Sequence, residues 1–159
     1  VGSEMCIRDR LYLSNEATWR ATEELLPPPN AAHPLRIIDL GSGLGGLLAH
    51  LATRRVQDHL VGIELAPLPA LFSKLRLMRH PHCTVRWGSF WKLNLAEYDM
   101  VFAFLSPVPM RDLWTKASAE MRPGTLFVSS SFEVPGQTPD RVVQVNYSRQ
   151  TRLLVWRMP

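Results

Sequence analysis

The sequence predicts an α/β fold in which a doubly wound, mostly parallel sheet of seven strands ends in an antiparallel hairpin. Three observations predict it. Apolar segments typical of strands alternate five times with segments of helical periodicity, which indicates a parallel sheet covered on both faces. The first strand leads directly into a glycine-rich loop and a helix. The last two strand-like segments are joined by a few polar residues, as in a hairpin.

The predicted strands are short apolar runs bounded by turn residues. They occupy residues 36–40, 59–64, 83–87, 99–105, 125–130, 142–146 and 152–156. The fourth run is apolar throughout, as expected for a strand buried on both faces of the sheet.

The predicted helices begin at capping residues or prolines and end at breakers. The first covers residues 13–26, with Ser14 or Asn15 as its cap and the prolines at 27–29 as its end. Others occupy residues 47–54, a segment beginning at Pro67, and residues 110–121. The pattern predicts a buried apolar face on the helix after strand two, and buried positions for three tryptophans. These residues are Leu68, Leu71, Phe72 and Leu75, and Trp87, Trp114 and Trp156.

The chain of 159 residues is long enough for one domain with a hydrophobic core. Residues 1–10, VGSEMCIRDR, lack periodicity and are interpreted as a non-native segment. Residues 11–30 are expected to form the N-terminal helix and its proline linker, and residues 31–159 the ligand-binding domain.

The composition is that of a soluble globular protein, with 46% hydrophobic and 20% charged residues and a net charge of +4. This mild basic excess does not by itself indicate nucleic acid.

No apolar run approaches a membrane span and no signal peptide is recognisable, so we expect no membrane partner and a cytoplasmic location. Two cysteines do not make a disulfide framework. The cluster His80-Pro81-His82-Cys83 is too crowded for tetrahedral ligation, so no metal is expected.

The candidate ligand site is the loop Asp39-Leu40-Gly41-Ser42-Gly43-Leu44-Gly45-Gly46. Glycines let a ligand approach the main chain, and the N-terminus of the following helix offers free N–H groups. The spacing of Gly41, Gly43 and Gly46 also fits a dinucleotide site. A carboxylate at Asp39, however, repels a pyrophosphate and favours a ligand that carries sulfonium and ammonium groups.

This loop resembles motif I of the class I S-adenosylmethionine (SAM) methyltransferases, and the resemblance extends from about Tyr12 to the end of the chain. The acid in VGIEL, at the end of strand two, is placed to hold a ribose. The segment MRPGTLFVS resembles the turn into strand five of these enzymes, and the hairpin resembles their antiparallel last strand. The resemblance implies a Rossmann-like SAM-binding domain over residues 31–159, with SAM as cofactor.

The resemblance also implies roles for individual residues. The methionine part of SAM would contact Asp39, Gly41, Ser42, Gly43 and Gly45. Glu64 would hold the ribose, and Leu65 would lie beside the adenine. Ser89 and Phe90 stand where many members carry an acid that contacts the adenine amino group.

A closer resemblance is to the compact protein-lysine methyltransferases of bacteria and mitochondria. It rests on the segment WKLNL before Tyr98-Asp99 and on the short proline loop after strand four. That loop would receive the acceptor, with Ser106 orienting its nitrogen as a candidate catalytic residue. Pro107, Phe132 and Tyr12 would contribute to the acceptor pocket. The alternative is a proline-stiffened loop that only caps the next helix.

Other functions stay open at this point. The acceptor can be protein lysine, RNA or a small molecule. A nucleotide-cofactor oxidoreductase and a non-catalytic Rossmann-like binding domain are the alternatives to a methyltransferase. An RNA substrate would use the basic and aromatic residues Arg76, Arg79, Arg86, Lys92, Trp87 and Trp91, which otherwise form a solvated face.

Overall fold

A computed structural model describes residues 16–145 and 151–159 and shows one seven-stranded sheet. The strands are β1 (Arg36–Leu40), β2 (His59–Glu64), β3 (Cys83–Trp87), β4 (Met100–Ala103), β5 (Leu126–Ser130), β6 (Arg141–Gln144) and β7 (Arg152–Arg157). Their order across the sheet is β3-β2-β1-β4-β5-β7-β6.

Strands β1 to β5 are parallel, and β7 is antiparallel to both β5 and β6. The predicted sheet with its antiparallel hairpin is therefore confirmed. The order reverses at β1, which lies between β2 and β4, and ligands of open α/β sheets bind beside such a reversal.

Three strands are shorter than predicted, and one of them, β5, differs only in beginning one residue later, at Leu126. Strand β4 ends at Ala103, because the chain then leaves the sheet and places Leu105 against Gly41. Strand β6 ends at Gln144, and residue 146 of the predicted strand lies outside the described part of the chain.

In the described part of the chain, four α-helices cover the two faces of the sheet. Helix α1 includes residues 16–24, and its predicted caps at 14 and 15 lie outside the described residues. The others are α2 (Gly46–Ala52), α3 (Pro67–Leu77) and α4 (Met110–Glu120). Side chains of α1, α2 and α3 pack into one hydrophobic cluster, whereas α4 packs into the cluster on the opposite face.

The N-terminal helix and its linker are fixed to the domain by polar contacts. Glu23 of α1 pairs with His50 of α2, with 2.8 Å between carboxylate oxygen and ring nitrogen. Farther along, the buried pair of Arg55 and Asp58 holds the linker: Arg55 donates to the carbonyl of Pro27, and Asp58 accepts from the N–H of Leu35. Helix α1 is thus held beside α2, at the end of the glycine loop.

The predicted inner face of α3 is wrong. Ala70, Ser73 and Leu77 face the sheet, whereas the predicted apolar residues are more than half exposed. These are Leu68, Leu71, Phe72 and Leu75. The reason is steric: a Cβ on Gly45 would lie 3.1 Å from the Ser73 hydroxyl, so the helix approaches the glycine loop too closely for a larger side chain at position 73.

The prediction for Trp87 is also wrong, since it is 69% exposed on the edge strand β3. Trp156 is buried as predicted. Trp114 is partly buried and packs against Trp156, with ring centroids 5.4 Å apart.

Candidate functional site

A cavity of about 420 Å³ lies at the carboxyl ends of β1, β4 and β5, where the sheet order predicts a ligand site. The glycine loop forms its floor, and α1 and the end of β5 form its sides. The lining residues are Thr18, Trp19, Asp39, Gly41, Ser42, Gly43, Leu44, Gly46, Leu47, Arg76, Phe102, Phe104, Ser130, Ser131 and Thr151.

The glycine loop adopts a left-handed backbone that side chains disfavour. Gly41, Gly43 and Gly45 have φ values of 69°, 55° and 77°. The N–H groups of Gly41 and Ser42 both donate to the carbonyl of Ile63, at 2.9 and 3.0 Å. The loop therefore curls over the end of β2 and leaves open space above Gly43, where a Cβ would touch nothing.

Contacts from β2 and α3 hold the loop in this form. Glu64 accepts from the N–H of Gly43 at 2.7 Å and from the N–H of Ala66 at 3.1 Å. From α3, the Ser73 hydroxyl donates to the carbonyl of Gly43 at 2.7 Å, and Arg76 donates to that of Leu44. These contacts fix the cavity floor through polar groups on neighbouring elements.

Asp39 is the second-to-last residue of strand β1 and is only 5% exposed. Burial, with a further contribution from the nearby negative charge of Glu64, raises the pKa of Asp39 to about 8. A carboxyl held neutral at a cavity wall ionises readily once a cation lies beside it, because the cation stabilises the charged form. Asp39 therefore fits a ligand with a positively charged group.

Ser42 supplies a second polar group without a partner. Its hydroxyl oxygen is buried and has no hydrogen bond among the described residues, although a buried hydroxyl left unpaired is costly. The oxygen lies against β2, since a Cβ on Gly62 would be 2.9 Å from it. The floor thus offers a ligand a buried acid and accessible main chain, which suit an amino-acid-like ligand.

Trp19 forms the wall contributed by α1. A Cβ on Gly46 would lie 2.2 Å from the edge of the indole ring, so the ring rests directly on the main chain of α2. The same ring lies 6.3 Å from the imidazole of His50, measured between centroids. Only glycine at position 46 allows this contact.

The opposite wall is aromatic and hydroxylic. Phe104 is 53% exposed and stacks on Phe132, with ring centroids 6.2 Å apart and an angle of 20° between the planes. Ser130 and Ser131 end the adjacent strand. Ser131 has a left-handed backbone with φ of 71°, a strained conformation that is often found at functional sites.

Of the residues proposed from the sequence, the structure brings Asp39, Gly41, Ser42 and Gly43 together around the cavity. Phe132 lies behind Phe104, and Gly45 caps α2 beneath the loop. Glu64 supports the loop from below. Other proposed residues lie outside the lining; these are Leu65, Ser89, Phe90, Ser106 and Pro107. Tyr12 lies outside the described residues.

Ser89 and Phe90 have structural contacts of their own. The Ser89 hydroxyl accepts from the N–H of Trp91 and caps a short 3₁₀ helix, and Phe90 packs against the core on the α4 side. Leu65, Ser106 and Pro107 are exposed.

Sequence reasoning missed several lining residues. Ser130 ends a predicted parallel strand and Ser131 follows it, so the rule that sites lie at carboxyl ends of strands could have found them. Trp19 and Arg76 reach the cavity only through the packing of α1 and α3, and no local pattern marks them.

Two further searches concern metals and membranes. Among residues 16–145 and 151–159, no group of three or more His, Cys, Asp or Glu side chains is arranged to hold a metal ion. Within the same residues, no helix combines the length and apolar character needed to cross a membrane.

The contact of Trp19 with Gly46 leads to a prediction about stability. Gly46→Ala should lower the free energy of unfolding by about 1–3 kcal/mol, because the added methyl group overlaps the indole. In a Trp19→Ala background the same change should be neutral or stabilising, since alanine favours a helix over glycine by about 1 kcal/mol. Urea unfolding of the four proteins measures the coupling.

Gly43→Ala is the control. Its cost arises from its positive φ alone, so Trp19→Ala should not relieve it. Equal costs of Gly46→Ala in both backgrounds would contradict the steric explanation.

The raised pKa of Asp39 leads to a second prediction. Between pH 3.8 and about pH 8, this carboxyl is ionised in the unfolded chain but protonated in the ligand-free folded protein. The folded protein thus binds more protons, and its stability falls as pH rises through this window. Asp39→Asn removes that dependence, so the stability of the variant relative to the parent should increase with pH, by about 2 kcal/mol or more. Denaturant unfolding at several pH values measures it.

Asp112→Asn is the matched control, because it makes the same substitution at an exposed position on α4. A difference between Asp39→Asn and the parent that does not change with pH would contradict the raised pKa of Asp39.

Comparison with known proteins identifies the family. The ANTKMT methyltransferase domain family matches residues 39–141, which include the glycine loop and most of the sheet. A protein-lysine N-methyltransferase of Saccharolobus islandicus (strain REY15A) is 26% identical over 112 residues, covering 69% of this chain and 70% of that protein.

Solved structures share the fold. An RNA methyltransferase from Salinibacter ruber in complex with S-adenosyl-L-homocysteine superposes with a TM-score of 0.78 at 23% identity, over 89% of this chain and 90% of that one. A geranyl diphosphate C-methyltransferase from Streptomyces coelicolor A3(2) gives 0.62 at 18% identity, over 72% of this chain and 45% of that one. Because the family match covers more than half of the chain, the protein belongs to the ANTKMT methyltransferase domain family and is a SAM-dependent methyltransferase.

Proposed function

We propose that the methyl acceptor is the side-chain amine of a protein lysine, which enters the cavity beside Phe104. The observation that carries this proposal is the exposed ring of Phe104, stacked on the partly buried ring of Phe132 at the carboxyl end of the sheet. Aromatic faces attract alkylammonium groups and pack against their methylene chains. The named lysine methyltransferase of Saccharolobus islandicus supports the same acceptor class.

The charge of the cavity supports an amine over a nucleic acid. Among its described lining residues, Arg76 is the one basic residue, and its side chain already donates to the glycine loop. Binding of a nucleic acid depends chiefly on several lysine or arginine side chains that contact phosphates. A lysine side chain needs no such cluster.

For the cofactor, we propose that the ammonium of SAM lies against Asp39 and the carboxylate against the loop formed by Gly41, Ser42 and Gly43. Gly45 shapes this loop. Glu64 would accept hydrogen bonds from the ribose hydroxyls. Each of its carboxylate oxygens already accepts one N–H, but each still has a free lone pair. Leu65, Ser89 and Phe90 would lie toward the adenine.

In the proposed reaction, SAM supplies an activated methyl group on a sulfonium. The lysine nitrogen must be neutral to attack, and the new N–C bond forms as the C–S bond breaks and sulfur keeps the electron pair. The protein mainly orients the amine and excludes water. Phe104 and Phe132 would align the chain of the lysine. Ser106, Pro107 and the hydroxyls of Ser130 and Ser131 would surround the nitrogen.

The cofactor placement leads to a prediction about pH. Affinity for S-adenosylhomocysteine should rise from about pH 6 to about pH 8, by up to tenfold per unit, because Asp39 must lose its proton to receive the ligand's ammonium. Titration calorimetry in buffers of different ionisation enthalpy should detect proton release on binding. Asp39→Asn should bind weakly and without this slope.

The control for ligand class is NADH, which should not bind. An affinity for S-adenosylhomocysteine that is flat across this range, with a strongly binding Asp39→Asn variant, would contradict the role of Asp39.

The acceptor proposal is tested with SAM labelled in its methyl group. Lysine-rich proteins should take up label that acid hydrolysis releases as methyl-lysine, and reductive methylation of their amines beforehand should abolish uptake. Phe104→Ala should lower the rate by about tenfold, the value of one well-placed cation–π contact. Its affinity for S-adenosylhomocysteine should be unchanged.

Val142→Ala is the matched control, because Val142 is exposed on the edge strand β6, away from the cavity. Label that appears in RNA rather than protein would replace lysine with a nucleotide as acceptor. An unchanged rate for Phe104→Ala would remove Phe104 from the acceptor pathway.

A further inference from the structure

Helix α3 presents an unusually apolar face to solvent. Its outward side chains repeat every three or four residues, on the side opposite the three buried residues. Their exposed fractions are 77% for Leu68, 53% for Leu71, 51% for Phe72, 60% for Leu75 and 73% for Met78. Single exposed apolar residues need no explanation, but a contiguous stripe indicates an interaction site.

Neighbouring elements extend this stripe. Leu65, in the loop before α3, is 71% exposed, and Trp87 on the edge strand β3 is 69% exposed. The two are linked, since the indole N–H of Trp87 donates to the carbonyl of Leu65 at 2.9 Å. We call the five residues of the stripe together with Leu65 and Trp87 the α3 outer surface.

The chain segment that forms this surface carries charge of one sign. No aspartate or glutamate occurs between Glu64 and Glu97, whereas this interval contains five lysine or arginine residues. They are Lys74, Arg76, Arg79, Arg86 and Lys92. On α3 itself, Lys74 and Arg76 lie on opposite sides of the apolar stripe, and Arg79 follows its end. A partner for this surface is therefore apolar at its centre and anionic around it.

We propose that the α3 outer surface docks on an anionic lipid bilayer. An amphipathic helix that places leucine and phenylalanine among lysine and arginine inserts its apolar side chains between acyl chains while its bases contact anionic headgroups. Trp87 is amphipathic in the same way, and tryptophan favours the membrane interface.

The same residues disfavour two other partners. In a dimer formed through this surface, the bases of the two copies would face each other and repel. Single-stranded RNA binds by stacking on aromatic rings, whereas this surface is mainly aliphatic. A lipid surface satisfies both the aliphatic side chains and the surrounding charge.

The inference is independent of the methyl acceptor. It concerns where the enzyme is held, and α3 connects that place to the site because Arg76 also lines the cavity. Docking would hold the cavity close to the bilayer.

The test is flotation of the purified full chain with two kinds of vesicle. One contains phosphatidylcholine alone, and the other contains equal parts of phosphatidylcholine and phosphatidylglycerol. The protein should bind the anionic vesicles and not the neutral ones, and added salt should weaken binding. Leu68→Ser, Leu71→Ser and Leu75→Ser combined should weaken it by about tenfold or more. Lys74→Glu with Arg79→Glu should do the same.

The matched control replaces three exposed apolar residues elsewhere, Val56→Ser, Val108→Ser and Val142→Ser, and should bind like the parent. Titration of each variant with S-adenosylhomocysteine confirms folding, because none of the substituted residues lines the cavity.

Four outcomes would overturn the inference. They are failure of the parent protein to bind anionic vesicles, binding that the α3 variants leave unchanged, and binding that the control variant loses equally. The fourth is a parent dimer, seen by light scattering without lipid binding, that the leucine variant converts to a monomer.

Discussion

The glycine loop after β1 depends on being fastened to β2 and α3, and the rest of the site depends on the loop. Two backbone hydrogen bonds to the carbonyl of Ile63 fold the loop over the sheet, and the carboxylate of Glu64 accepts from the N–H of Gly43. Ser73 binds the carbonyl of the same glycine from the other side. A loop of left-handed glycines has high conformational entropy when free, so these contacts preorganise it for a ligand. Glu64 supports the loop, and in the proposed complex it would also hold the ribose.

Asp39 shows how stability and function oppose each other in this site. Burial raises its pKa to about 8, so the ligand-free protein either keeps it protonated or bears the cost of a buried charge. A cationic ligand removes that cost by stabilising the carboxylate. The residue is thus unfavourable for the empty protein and favourable for the complex, which is a common property of binding sites.

Most of the fold could be predicted because its signals are local. Apolar runs set the strands, and the loop glycines set the turn beneath the cavity. The outward face of α3 could not be predicted, because an apolar stripe does not by itself show which side of a helix faces the sheet. That choice depends on how closely the helix approaches its neighbours. Here Ala70 and Ser73 allow close approach to the glycine loop, and small inward residues carry little hydrophobic signal. The contact of Trp19 could not be predicted for a related reason, since its ring packs on the main chain of Gly46, where no side chain is present to give a signal.

The two faces of α3 connect these observations. Ser73 and Arg76 bind the glycine loop, while Phe72 and Leu75, one residue before each of them, are exposed on the outside. A helix of this length moves as a rigid unit, so a surface that holds its outer face also fixes the orientation of the loop and the cavity. In the proposed docked state, an acceptor would have to reach Phe104 while α3 is held against the bilayer. Selection of an acceptor by such an enzyme would depend on position relative to that surface as well as on side-chain chemistry, which suits a compact domain whose described residues form little more than the cofactor site.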